Sequence, residues 1–253
     1  MPTSSVERHV QLEGVFNFRD LGGYPTLDGR TTRWQTLYRA DGLDRLTDAD
    51  IETLRPLNLK TVVDLRTPGE ISERGRFPVD RYPVRFHNLS IIDQTWQHDT
   101  ELKRDLSPAD FLYQAYMKMG RDGRARFAAA FEVLAAADTL PAVFHCAAGK
   151  DRTGLLAALM LGSIGVETSA IVDDYALTQA IMPQFIAAMA KRYPERASTM
   201  AKVPAGFMVA DASAMARVLR EIERLHGSVR GLVLHIGVPA TTIARLEGLL
   251  LEG

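Results

Sequence analysis

Apolar residues fall in short runs between turns in the first part of the chain and recur at helical spacing after Ile164. Residues 14–40 are broken by Gly14, Gly22, Gly23, Pro25 and Gly29, and Asp28-Gly29 has the chemistry of a hairpin turn. Thr47 precedes apolar positions at Ile51, Leu54 and Leu57, with Asp50 three residues on, which predicts a capped amphipathic helix. Leu59–Leu65 (LKTVVDL) is a short β-branched run that stops at Thr67-Pro68-Gly69, so a buried strand is expected there. Tyr82–Leu89 is a second extended candidate. Ser107-Pro108 opens a helix with proline at its first position, and residues 122–137 continue as an alanine-rich helix.

The most informative junction follows. Pro141–His145 (PAVFH) predicts a short apolar strand, and Gly154–Ile164 a long apolar helix, with CAAGKDRT between them. Beyond it the pattern stays helical: Asp211 caps one helix that ends at His226-Gly227, and Pro239 starts another. Strands interspersed with helices, then a helical C-terminal half, give an α/β class with no internal repeat and no low-complexity linker.

Composition narrows the function. A chain of 253 residues, 46% hydrophobic and 24% charged, can bury a sizeable core, which excludes global disorder and fits one large domain. Thirty basic residues against 31 acidic ones give a net charge of -1. That balance argues against general binding to nucleic acid or to an anionic membrane. The single cysteine, Cys146, rules out an intrachain disulfide and thiolate-rich metal sites. No apolar run approaches the ~18 residues of a membrane span, and the start MPTSSVERHVQLEG lacks the pattern of a secretory signal. A cytoplasmic protein is expected, without integral membrane association.

The loop reads His145-Cys146-Ala147-Ala148-Gly149-Lys150-Asp151-Arg152-Thr153-Gly154. A strand, a glycine-containing loop and a helix form the local architecture of anion sites. The five residues between Cys146 and Arg152 can curl so that successive N–H groups face one tetrahedral anion, and Ala147, Ala148 and Gly149 leave the approach open. Arg152 supplies a planar fork for two oxygens, and the following helix adds its dipole. The same positive field favours a Cys146 thiolate placed beneath the phosphorus. Thr153 can donate to that sulfur, and His145 can orient the loop through its ring nitrogens. A buried structural cysteine would account for Cys146 alone, not for Gly149, Arg152 and Thr153 arriving with it. A Walker-type loop fails because Asp151 follows Lys150 and Phe144 stands where the first glycine is required. A sulfurtransferase cradle and a phosphate-reading module with a decayed site are the alternatives; the Lys-Asp-Arg-Thr content fits phosphate better.

At these residues the chain resembles the cysteine-dependent tyrosine and dual-specificity phosphatases, whose loop is His-Cys, five residues, Arg-Ser/Thr. More narrowly it is similar to the bacterial branch that includes mycobacterial protein tyrosine phosphatase B, with His-Cys-x-x-Gly-Lys-Asp-Arg-Thr-Gly matched from His145 to Gly154. Supporting matches are Asn17-Phe18-Arg19-Asp20 with Leu21-Gly22-Gly23, Leu37-Tyr38-Arg39, Val63-Asp64-Leu65-Arg66, Ile171-Val172 through Asp174-Tyr175, and Ile243-Ala244-Arg245-Leu246. The resemblance implies a mostly parallel central sheet flanked by helices in a single domain over 1–253. For 181–208, where Met182, Met189, Met200 and Met208 cluster, it implies a helical lid, with an ordinary core helix pair as the alternative. By activity it implies a phosphomonoesterase without metal or cofactor that works through a phosphocysteine on phosphorylated proteins or phosphoinositides. The Lys150-Asp151 pair is associated in this family with broad specificity. Lys150 then either meets a second phosphate at the rim or stays solvated beside Asp151.

The remaining polar residues divide by role. Asp93 and Asp151 compete as general acid. Asp151, between Lys150 and Arg152, is expected to stay ionised, and it rides on the loop that carries the nucleophile. Asp93 follows the extended run and matches the family's acid, although Ile91-Ile92-Asp93 lacks the proline usual before it. Asp64 and Arg66, with Glu70 nearby, could touch substrate, but a structural ion-pair network with Arg19 or Arg39 is the expectation, and Asp20 and Asp41 read the same way. His87 and His98 lack the spacing of metal ligands. His226 and His235 suit helix ends.

Overall fold

The computed structural model describes residues 8–93, 106–196 and 205–253. Four parallel strands make its centre: β3 (Leu37–Ala40), β4 (Thr61–Asp64), β5 (Arg85–Asn88) and β6 (Ala142–His145), in spatial order β3-β6-β4-β5. The short β1 (Arg19–Asp20) closes the β3 edge in antiparallel fashion. A separate ribbon pairs β2 (Thr31–Thr32) with β7 (Leu251–Glu252), so the chain's end is strand and not helix as its pattern implied.

The strands β3, β4 and β6 are buried along their whole length, as strands covered on both faces must be. Their side chains alternate between two cores. Tyr38, Val62 and Val143 face Phe18, Leu43, Ile51, Leu54 and Phe77 on one side. Leu37, Val63 and Phe144 face the larger core on the other, which is filled from the helices α3 (Pro108–Asp122), α4 (Arg124–Ala135), α5 (Asp151–Ser163), α7 (Ala212–His226) and α9 (Ala240–Leu250). The first layer also carries α1 (Asp48–Leu54), whose capping box at Thr47 and Asp50 is the expected one. Of the other described α-helices, α2 (Pro68–Arg74) follows β4, and α6 (Thr168–Arg192) and α8 (Val229–His235) add Ile171, Tyr175 and Val233 to the larger core.

Sequence and structure agree at the caps: Ser107 begins α3, Asp211 begins α7, Gly227 ends it at φ +75°, and Pro239 precedes α9. They differ where α5 begins, at Asp151 and not at Gly154, so Arg152 sits in its first turn. All four parallel strands point their C-terminal ends the same way, and the loop after β6 emerges between its two neighbours. That is the edge at which open α/β sheets place ligands. Among the described residues no helix is long and apolar enough to cross a membrane, and no group of His, Cys, Asp and Glu is arranged to hold a metal ion.

Candidate active site

The loop after β6 turns its carbonyls outward. Leu65 N–H donates to His145 O (2.8 Å), Gly42 N–H to Ala147 O (3.0 Å), and Gly154 N–H to Lys150 O (2.8 Å). Asn17 Nδ2 donates to Ala148 O and Gly149 O, both at 3.2 Å, and Arg39 Nη2 donates to Gly149 O at 2.7 Å. Among the described residues, no backbone hydrogen bond outside regular elements is donated by any of residues 147–152. The N–H groups of this loop are therefore left for a guest, and the helix dipole of α5 reinforces them. Gly149 adopts φ +65°, and a Cβ there would lie 2.6 Å from Ala40 O, so the curl needs glycine at this position.

A second layer of charge holds those anchors. Asp174 receives Arg19 Nε (2.9 Å), Arg39 Nη1 (2.5 Å) and Tyr24 OH (2.8 Å). Burial alone would raise its pKa, but the two guanidiniums hold it well below the carboxylate range. Arg19 also donates to Asn17 Oδ1, which leaves the Asn17 amide nitrogen aimed at the loop. The motifs Asn17–Asp20, Leu37–Arg39 and Asp174-Tyr175 thus converge on one task. Tyr175 lies against Gly154, where a Cβ would come within 2.9 Å of its ring.

The expected ion pairs are rearranged. Arg19 and Arg39 pair with Asp174, whereas Asp64 pairs with Arg66 (2.7 Å), which also reaches Asp44 (2.7 Å). Asp20 accepts from Gly22 N–H and Gln35 N–H, and Asp41 accepts from Phe16 and Asn17 N–H and from Arg45. Each holds its own stretch of backbone, and Asp41 an arginine as well, and the two do not share one network.

Cys146 and Arg152 stand at the two ends of the loop. Cys146 is buried at the strand end, and Arg152 is held by Glu70 through two parallel bonds, Nη1–Oε2 at 2.6 Å and Nη2–Oε1 at 2.9 Å. Glu70 is itself fixed as the third residue of α2, accepting from Thr67 N–H while its own N–H donates to Thr67 Oγ1. Burial opposes its ionisation, but Arg152 prevails and the carboxyl is held down to about 2. The guanidinium keeps its Nε–H and one N–H on each Nη for a ligand. In the sequence Glu70 stands out only as a near neighbour of Asp64 and Arg66. Thr67-Pro68-Gly69-Glu70 is a capping-box pattern that would have placed it at a helix start.

Four expectations need correction or completion. Lys150 is neither at the rim nor solvated: it is buried, and its ammonium donates to Gly206 O, Phe207 O and Val209 O, each at 2.9 Å, with Asp151 at 3.4 Å. Thr153 Oγ1 is buried and makes no hydrogen bond, so the bond to sulfur is not formed. His145 orients the loop through one nitrogen, with Nδ1 3.1 Å from Cys146 O; Nε2 has no hydrogen-bond partner and lies 3.5 Å from Asp64. Burial lowers its pKa, so the ring is neutral. Asp151 accepts the Tyr116 hydroxyl at 2.7 Å, and Tyr116 in turn meets Tyr175 OH at 2.6 Å.

Asp93 is exposed and pairs with Arg126 of α4 at 3.3 Å. Trp96 and His98, and positions 197–204 of the expected lid, lie outside the described residues. Of that lid, 181–192 form the second half of α6 and Ala205–Met208 a 3₁₀ turn.

A curled anion cradle with a cysteine at its base and an anchored arginine at its close defines the class of cysteine-based phosphatases. A model of the tyrosine phosphatase family matches residues 10–252, and the chain belongs to that family. It is 29% identical over 275 residues to the triple specificity protein phosphatase PtpB of Mycobacterium tuberculosis, covering 95% of this chain and 98% of that protein. It is 34% identical over 140 residues to a tyrosine-protein phosphatase of Nostoc commune, covering 55% of this chain and 47% of that protein. Among solved structures, the core catalytic domain of the PP-IP phosphatase SIW14 from S. cerevisiae shares 16% identity with a TM-score of 0.37, over 66% of this chain and 79% of that one. The protein is an enzyme, a tyrosine or dual-specificity phosphatase, and its substrates are phosphorylated.

Proposed function

We propose that Cys146 is the nucleophile, that the N–H groups of Ala147, Ala148, Gly149, Lys150, Asp151 and Arg152 cradle the phosphoryl oxygens, and that Asp93 is the general acid. In the first step the Cys146 thiolate forms an S–P bond while the P–O bond to the leaving group breaks, and Asp93 gives that oxygen its proton. Water then attacks phosphorus and yields its proton to Asp93; the S–P bond breaks and inorganic phosphate leaves. Charge on the equatorial oxygens is met by the cradle and by the free N–H groups of Arg152, a preorganised field that needs no rearrangement during the reaction.

One observation carries this reading above all: the loop's carbonyls are tied back by Asn17, Arg39, Gly42 and Leu65 while its N–H groups are not engaged within the chain. Successive N–H groups left unpaired within the chain at a helix start suit one anion. We infer a cytoplasmic enzyme acting on phosphotyrosine, with phosphoserine, phosphothreonine and phosphoinositides as further substrates, the breadth indicated by the PtpB relative. The test is turnover of phosphopeptides, phosphoinositides, p-nitrophenyl phosphate and thiosulfate by wild type and by Cys146→Ser. Phosphate release that vanishes in the variant supports the reading; turnover of thiosulfate alone transfers the chain to sulfur chemistry.

A further inference from the structure

Lys150 belongs to the cradle by its backbone and to another part of the molecule by its side chain. Its ammonium is buried and donates to Gly206 O, Phe207 O and Val209 O at 2.9 Å each. An ammonium has three N–H donors, and three carbonyls meet them. The oxygens come from the 3₁₀ turn Ala205–Met208 and the residue after it, about 55 positions along the chain. That turn has further fixed points. Phe207 packs on Phe111 of α3 with centroids 5.3 Å apart, a Cβ on Gly206 would come within 2.6 Å of the Phe111 ring, and Ala210 N–H donates to Gln179 of α6 at 2.6 Å.

We propose that Lys150 is a positioning residue that couples the phosphate cradle to the 205–211 segment, and that it does not read a second phosphate of the substrate. The proposal rests on the cradle reading above. Two physical links make the coupling. An anion bound to the loop fixes the Lys150 peptide and so the root of its side chain. The anion's charge also stabilises the buried ammonium, whose other electrostatic neighbours are Asp151 beside it and Cys146 in the loop. Behind Asp151 stand the hydroxyls of Tyr116 and Tyr175, and further along the same loop Arg152 pairs with Glu70. A firmer ammonium holds its three carbonyls more firmly. Coupling is reciprocal, so what orders 205–211 must also tighten the cradle on an anion.

The experiment is amide hydrogen exchange of the full chain with and without inorganic phosphate, in wild type, Lys150→Arg and Lys150→Met. In wild type, saturating phosphate should slow exchange in 205–211 by at least about fivefold, the lower end of ordinary coupling energies. Lys150→Met should lose that response while phosphate still slows exchange in 146–153, and Lys150→Arg should regain part of it. Lys150→Met should also raise the phosphate inhibition constant and the KM for phosphotyrosine and for bisphosphorylated substrates by the same factor. Unchanged exchange in 205–211 of wild type at saturating phosphate overturns the proposal, and that measurement needs no variant to fold. A loss in Lys150→Met confined to bisphosphorylated substrates overturns it in favour of direct reading. If phosphate slows exchange nowhere, including 146–153, the cradle reading itself fails.

Discussion

Glu70 offers the sharpest test of how the site is built. It is 7% exposed and makes both bonds to Arg152, so Glu70→Gln removes a charge from a buried pair while keeping a side chain able to accept from Thr67 N–H. Its carboxyl sits at about 2 against an ordinary 4.5. At about 1.4 kcal/mol per tenfold change in proton affinity, the pair contributes about 3 kcal/mol to stability. The folded pKa is depressed, so this contribution is full above pH 4.5 and disappears as pH falls towards 2. For a domain of this length a loss of about 3 kcal/mol lowers Tm by about 6–12 °C. Thermal unfolding of wild type and Glu70→Gln between pH 7 and pH 3 should show that gap at neutral pH, narrowing below about 4.5. Because Arg152 loses its fixed orientation, kcat/KM should fall by about 10²-fold or more, the scale seen when one transition-state donor is lost. A gap that is absent at pH 7, or that stays constant down to pH 3, refutes the electrostatic account. Wild-type kcat/KM in Glu70→Gln refutes the claim that this pair aims Arg152.

Two further outcomes follow from the same geometry. Asp93→Ala should slow phosphotyrosine hydrolysis by about 10²–10⁴-fold and activated aryl phosphates much less, since a good leaving group needs no proton; a larger leaving-group effect in Asp151→Ala would move the role to Asp151. Asp174→Asn leaves Arg19 and Arg39 buried without their counter-charge and should cost about 3–5 kcal/mol in denaturant unfolding, with weaker phosphate binding because Asn17 and Arg39 lose their aim; an unchanged unfolding midpoint would show that the second layer does not hold the loop.

The strand, loop and helix around Cys146 were legible because three local signals coincide there: an apolar run, small residues, and a cysteine and arginine at fixed spacing. The strand at Leu37–Ala40 was visible only as a motif. Its pattern carries Arg39, and a buried arginine is intelligible only once Asp174, 135 positions away, is known to meet it. The two-residue strands at Thr31–Thr32 and Leu251–Glu252 exist by pairing with each other and carry no periodicity of their own. Lys150 was misread for a general reason: its spacing gives its backbone role, but its side chain answers to carbonyls that only the tertiary fold brings near. Glu70 shows the same limit, since its capping pattern lies in the local sequence and its partner Arg152 does not.

The central claim is that phosphate passes through Cys146. Wild-type protein mixed with p-nitrophenyl phosphate, quenched in acid within one turnover and digested, should yield the peptide containing Cys146 with phosphate on sulfur. The same peptide from Cys146→Ser should carry none under identical conditions. Phosphate release by wild type with no phosphocysteine at any quench time, together with retained turnover in Cys146→Ser, would contradict the account.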